Sequence, residues 1–377
     1  MGSEMCIRDS AETGKRFGRS LDPDTNGYTS ESFEEGTVGL DMTLSLFEGF
    51  SRINQVRFRK MNKERSEWEL KEKQNELAYQ VTDAYYKLIL ERKLLDLALE
   101  QSRLSERYLK QTEVFVELGL KSASDLQEVK ARREGDIYRY QSRGNSSRIA
   151  LLHLKQLMNI QPGDTLAILD TITASQLPPY SVSTVETLYA QSIEILPSIR
   201  MIDLKQKAAH KEYAIAGGAF SPSVFARFTV GSNYYNTAFS ARQLRDNIGK
   251  YVGVGISFPL LSGLQRLTNQ RKLKLNMYRL KNEEELEKQQ LYTDIEQTLL
   301  SLHTGYSEHQ QALSQLDAET LVLKESERKW EEGLISVFQL MEARNRFIAA
   351  KAELVRVRLQ IEMMMKLEKY YRQGTFL

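Results

Sequence analysis

Two segments alternate strictly between apolar and polar or small residues, the period of a strand with two unlike faces, and a third follows the same period with Phe225 as an exception. In 38–47 the apolar set is Val38, Leu40, Met42, Leu44 and Leu46, against Gly39, Asp41, Thr43 and Ser45. In 223–235 Val224, Ala226, Phe228 and Val230 stand opposite Phe225, Arg227 and Thr229. In 251–261 Val252, Val254, Ile256, Phe258 and Leu260 alternate with Gly253, Gly255, Ser257 and Pro259. Each run is close to the 9–11 residues of a tilted strand that crosses a bilayer. Tyr234, Tyr235 and Tyr251 at strand ends suit an interfacial aromatic girdle.

Two of these strands run straight into helical patterns far longer than a globular domain uses. Ser51 to Leu118 contains neither glycine nor proline, and at about 1.5 Å per residue it makes a helix of roughly 100 Å. Leu77, Val81, Ala84, Leu88 and Leu95 recur at heptad-like spacing within it. In the last helix Val337, Leu340, Phe347, Ala350, Leu354, Val357, Ile361 and Met364 step by threes, fours and one seven. Such seams pack helix against helix.

The strand-to-helix unit occurs twice. "TVGLDMTLSLFEG" (37–49) lies over "YVGVGISFPLLSG" (251–263), and "ELGLKSASDLQEVKARR" (117–133) over "EEGLISVFQLMEARNRF" (331–347). Gly49 to Gly263 and Gly119 to Gly333 are both separated by 214 residues, so the segments between have kept their length while diverging in sequence. That is expected of a rod whose two ends must reach fixed positions. The second match spans a break between two helical patterns. Gly119 and Gly333 are predicted to end the first helix in the left-handed conformation, with Ser124 or Ser122, and Ser336, capping the next.

The predicted organisation has a head, 1–10, that is not native to the protein. Repeat 1 (11–183) follows: a remnant strand and external loop (11–37), a strand (38–48), a helix (51–118), a tip (119–123), a returning helix (124–160) and a connector (162–183). That helix is weakened by Gly135 and Gly144, and the connector carries a short strand at Leu166–Ile172. Repeat 2 (184–377) has helices in 184–217, a strand (223–235), an external loop (236–250), a strand (251–261), a helix (264–332), a tip (333–336) and a helix (337–373). Repeat 1 lacks counterparts of 184–217 and of most of the strand at 223–235, so the chain is expected to be truncated at its N-terminus.

Composition narrows the class. The 377 residues are 27% charged with a formal net charge of +2, which argues against a general polyanion or nucleic-acid binder. No run approaches the 18 apolar residues of a membrane-spanning helix, so a membrane location requires a β-barrel. A lone cysteine, Cys6, excludes an intramolecular disulfide and a cysteine-based zinc cluster. His153, His210, His303 and His309 show no metal-binding spacing, no phosphate-binding glycine loop or nucleophile elbow is present, and no cofactor is implied. Runs such as Glu283-Glu284-Glu285 and Glu331-Glu332 read as solvated helix faces rather than catalytic pairs. An enzyme is therefore not expected.

Two strands per repeat give four per intact chain, fewer than the roughly eight that close a barrel. Protomers must pool strands, and the rods would continue the barrel as a helical tube. The fold class expected is an α+β membrane protein: long antiparallel helical hairpins forming a coiled-coil tunnel, joined to transmembrane barrel strands. The lipid-facing set would be Val38, Leu40, Met42 and Leu44, Val224, Ala226, Phe228 and Val230, and Val252, Val254, Ile256 and Phe258. A soluble coiled-coil scaffold, or a periplasmic adaptor with one helical hairpin, also explains rods, but neither needs duplicated strand-to-rod junctions.

These features resemble the TolC family of outer-membrane efflux proteins over essentially 17–375. The resemblance rests on the repeated steps "LSLFEGF" and "ISFPLLSG", on the repeated tips, on "LPSIRMIDLKQKAAHKEYAIAGGAFSPSVFA", and on "FGRSLDPDTNGY", which is similar to a first external loop. It implies a homotrimer with a twelve-stranded barrel in the outer membrane of a Gram-negative bacterium and a helical tunnel in the periplasm. Partners implied are a periplasmic adaptor and an inner-membrane transporter, with export of small molecules or proteins. It also places the entrance at the tips, making Gly119, Leu120, Asp125, Gly333, Leu334, Ile335 and Gln339 the gate candidates. Asp125 matches a family acidic residue. Ile335 stands where some members carry a basic residue and Gln339 where they carry an acidic one, which leaves an apolar constriction at Ile335 as the alternative to a salt-bridged gate.

Overall fold

The computed structural model describes residues 5–21, 26–161, 163–168, 177, 183–236, 241–259 and 264–376. Its elements run β1 (Met5–Leu21), β2 (Tyr28–Glu48), α1 (Ser51–Glu117), α2 (Ala123–Leu157), α3 (Val185–Ile195), α4 (Pro197–Gly218), β3 (Ser223–Asn236), α5 (Ala241–Asp246), β4 (Gly249–Ser257), α6 (Gln265–Glu331) and α7 (Val337–Gln373). The chain divides into two compact units, Met1–Arg65 with Ile202–Glu283, and Ser66–Met201 with Glu284–Leu377. That division does not follow the repeats: each unit collects corresponding parts of both.

The first unit holds an antiparallel sheet in the order β1-β2-β3-β4. β1 and β2 pair from Met5↔Leu44 to Leu21↔Tyr28, so residues 5–10 of the head expected to be non-native are part of a strand. The stretch expected as remnant strand and external loop, 11–37, is strand over 11–21 and 28–37. Alternation is a signal of unlike faces, and a ladder held by backbone hydrogen bonds does not require it. β2 and β3 join the two repeats, with a register shift between Ser45 and Phe47 that makes Phe47 the partner of Val224. The loop expected over 236–250 contains α5, and β4 ends at Ser257, short of the expected 261.

Where β2 turns into α1, Gly49 has φ +58° and Phe50 φ +62°. A Cβ on Gly49 would stand 2.5 Å from the Gly218 carbonyl oxygen, and one on Gly218 2.7 Å from the Gly49 carbonyl oxygen. The β2–α1 and α4–β3 turns thus meet backbone to backbone, which only glycine permits. Ser51 Oγ closes the contact by donating to the Ile215 carbonyl at 3.1 Å.

The second unit is helical, with three apolar clusters. Leu188, Leu196, Ile295, Leu302, Val357 and Ile361 gather α3, the α3–α4 turn, α6 and α7. Ala84, Leu88 and Leu154 join α1 to α2, with Leu166 and Ile168 packed on them. Tyr108, Val129, Trp330, Val337, Leu340 and Met341 bring α1, α2, α6 and α7 together. One seam expectation needs correction: Leu77 is exposed rather than core. As expected of 124–160, α2 runs through Gly135 and Gly144. Of the strand expected at Leu166–Ile172, 166–168 have no regular structure and 169–172 lie outside the described residues, as do 237–240 and 260–263.

Candidate functional site

The two tips have the same backbone. Gly119 and Gly333 have φ +70° and +75°. The Leu120 N–H donates to the Phe115 carbonyl at 2.8 Å and the Gly119 N–H to the Val116 carbonyl at 3.0 Å. Leu334 to Lys329 and Gly333 to Trp330 repeat this at 2.8 and 3.0 Å. This is the Schellman arrangement, which satisfies the orphan carbonyls of a helix end. The cap of α2 is Ser122, not Ser124. Its backbone N–H donates to Asp125 Oδ2 at 2.9 Å, and the Asp125 N–H donates back to Ser122 Oγ at 3.1 Å. At the second tip the Ser336 N–H donates to Gln339 Oε1 at 3.0 Å, and the Gln339 N–H to Ser336 Oγ at 3.3 Å.

All seven tip candidates border one open depression, together with Lys121, Ser122 and Ser336. Lys121 Nζ crosses from one tip to the other and donates to the Ile335 carbonyl at 3.5 Å. Asp125 and Gln339 hold the same place, 214 residues apart, one charged and one neutral. Hydrogen bonds from Ser122, backbone first and then side chain, with Lys121 nearby, hold the Asp125 carboxyl below the usual carboxylate range. Leu120 and Leu334 are exposed. Ile335 is partly buried against the Trp330–Val337 cluster.

Further along the helices lies a buried polar cluster that the sequence reading missed. Asp136 and Arg344 are both about 1% exposed. Asp136 accepts from Gln101 Nε2 at 2.8 Å and from Ser105 Oγ. Arg344 donates to the Gln101 carbonyl and, at 3.4 Å, to Ser105 Oγ. Its guanidinium lies 5.6 Å from the Tyr108 ring, whose hydroxyl donates to Glu327 at 2.8 Å. Burial pushes the Arg344 pKa down while the Asp136 charge opposes that shift. Side chains of α1, α2, α6 and α7 meet here. Two signals marked it: Arg344 fills the seven-residue step between Leu340 and Phe347, and Ala98, Gln101, Ser105, Tyr108 and Thr112 continue the α1 seam at threes and fours.

In the first unit the register brings the alternating residues onto one face. Met42, Phe228 and Val252 pair across three strands, as do Leu44, Ala226 and Val254; Leu40 pairs with Val230, and Val224 with Ile256. Val38, opposite Ser232, lies on the same face. Val38, Leu40, Phe228, Val230, Val252, Val254 and Ile256 are exposed, Met42, Leu44 and Val224 half-buried, and Ala226 buried. Phe258 is exposed just beyond β4. The other face carries Asp41, Thr43, Arg227 and Thr229, and Thr229 Oγ1 donates to Asp41 Oδ1 at 2.6 Å. No described helix is long and apolar enough to cross a membrane.

The sequence model of the family described as outer membrane efflux protein matches residues 12–159 and 188–363. The chain belongs to that family. Solved channels share its fold at low identity. The Campylobacter jejuni CmeC outer membrane channel is 13% identical with a TM-score of 0.81, over 98% of this chain and 78% of that one. VceC from Vibrio cholerae is 15% identical with a TM-score of 0.79, over 99% and 88%. The open state of the Neisseria gonorrhoeae MtrE channel is 17% identical with a TM-score of 0.75, over 99% and 81%. Among curated proteins none matches the sequence. Efflux proteins of this family are passive conduits of the Gram-negative outer membrane with a periplasmic helical tunnel, not enzymes, and they work in general with adaptor and pump partners. Family membership leaves the soluble scaffold and the adaptor without support.

Proposed function

We propose that the chain is one protomer of a homotrimeric channel that carries small molecules or proteins out through the outer membrane, in a tripartite efflux or type I secretion assembly. One observation carries this reading: a four-stranded sheet with two open edges, β1 and β4, and one exposed apolar face. An open edge in hydrocarbon would leave backbone groups unpaired, so β4 of one protomer pairs with β1 of the next until twelve strands close. The apolar set from Val38 to Phe258 then meets lipid, and the face bearing Asp41, Arg227 and Thr229 lines the water-filled interior. The tips, from Gly119 to Gln339, form the periplasmic entrance where an adaptor docks, with Leu120 and Leu334 as its exposed apolar contacts.

The test is conductance in planar bilayers combined with cysteine cross-linking between strands β1 and β4. A covalent trimer and trimer-dependent conductance are expected. A monomer that cross-links only within itself and carries no current would sink the proposal.

A further inference from the structure

A net charge of +2 conceals a local segregation. Residues 51–65, the root of α1, contain Arg52, Arg57, Arg59, Lys60, Lys63 and Arg65 against a single acidic residue, Glu64. Residues 265–281, the root of α6, contain Arg266, Arg271, Lys272, Lys274, Arg279 and Lys281 and no acidic residue. Four of these cations recur at the repeat offset of 214: Arg52 with Arg266, Arg57 with Arg271, Lys60 with Lys274, and Arg65 with Arg279. Over the rest of the two helices, 66–118 against 280–332, only Lys110 and Lys324 coincide in this way. The two rods have diverged, yet their roots keep the same cations at the same distance from the helix starts, Ser51 and Gln265.

Helix energetics do not call for them. Neither helix has an acidic residue in its first turn, and cations near a helix N-terminus oppose the macrodipole. Arg57 and Lys60, three apart on one helix, repel each other, as do Arg271 and Lys274. All four are exposed and form no ion pair among the described residues. Exposed apolar side chains accompany them at the same offset: Phe50 (64%) with Leu264 (79%), and Ile53 (52%) with Leu267 (37%).

We propose that the roots of α1 and α6 form a cationic collar that binds the anionic phospholipid surface of the inner leaflet, the apolar pairs dipping into the interface and the cations holding phosphates. The inference rests on the reading of the sheet as membrane-embedded. With a rise of about 1.5 Å per residue, Arg57 and Lys60 stand roughly 9 and 14 Å along α1 from its start, within reach of headgroups and the screened field beyond them. Interleaved exposed cations and apolar groups are the signature of an interfacial segment. The same pattern in both repeats fits a planar, uniform partner rather than a discrete protein.

The test compares the unfolding midpoint of the purified full chain in detergent micelles doped with phosphatidylglycerol or with phosphatidylcholine. Phosphatidylglycerol is expected to raise it by about 4 °C more, and the excess should shrink in about 0.5 M salt. R57Q/K60Q/R271Q/K274Q should lose the excess, R57K/K60R/R271K/K274R should keep it, and inorganic phosphate alone should not reproduce it. An equal excess in the glutamine variant overturns the collar, as does a wild-type preference indifferent to salt, which decides the matter even if that variant does not fold. A response to phosphate alone overturns the lipid as ligand. Conductance in pure phosphatidylcholine separates the two readings: a channel that conducts there without any phosphatidylglycerol preference overturns the collar and leaves the channel intact.

Discussion

At the scale of single residues, the buried Asp136–Arg344 cluster and the Asp125 cap make different demands. Asp136 pairs with Arg132 and Arg139 at 3.8 and 3.5 Å, accepts from Gln101 and Ser105, and its charge favours the buried Arg344 guanidinium. Removing it leaves that buried cation uncompensated, so Asp136→Ala should destabilise the helical unit by about 3–5 kcal/mol. The double change Asp136→Asn with Arg344→Met should recover much of that, and thermal melts of the helical signal decide between them. Asp125 is a titration problem. Its pKa lies below the ordinary value near 3.9, so its contribution is present above about pH 4 and is lost as pH falls through the depressed value. Gln339 does not titrate. Exchange protection of the Asp125 amide, corrected for intrinsic rate, should therefore fall on acidification while that of the Gln339 amide holds. Equal behaviour at the two tips would contradict the capping account.

Elements were legible where a period or a punctuating glycine marked them. Helix lengths and the left-handed glycines followed from the repeat offset, and three strands from alternation. β1 was legible only as a remnant strand within 11–37, because "CIRDSAETGKRFGRS" offers no apolar face and its pairing is set by β2. The buried cluster escaped because a charged residue on a long helix is usually solvated; the step filled by Arg344 and the polar continuation of the α1 seam marked it. The glycines divide by mechanism. Nothing lies within 4 Å of a Cβ on Gly119, so Gly119→Ala should cost only the left-handed backbone, about 1–2 kcal/mol. Gly49→Ala meets backbone as well and adds about 1–3 kcal/mol of overpacking. Denaturant midpoints of the two variants should separate accordingly.

For the whole molecule, the decisive asymmetry is between the faces of the sheet. Val254→Arg places a charge on the apolar face, at a cost of about 2–4 kcal/mol if it sits near the bilayer midplane. Thr229→Lys, on the other face beside Asp41, should be tolerated. Outer-membrane yield of heat-resistant oligomer is the measurement, with loss expected for the first variant and near wild-type recovery for the second. Equal yields would mean that the apolar face does not meet lipid.

A rod of roughly 100 Å built on threes and fours has a weakness: slid by seven residues, its leucines find new leucines and little is lost. Arg344 removes that ambiguity. Slid by seven residues, its guanidinium would leave the Gln101 carbonyl and the Ser105 hydroxyl and part from the buried Asp136 charge, a penalty that regained leucine contacts do not offset. One buried charge thus marks the zero of the ruler, and misaligned hairpins should be rare, short-lived species during assembly.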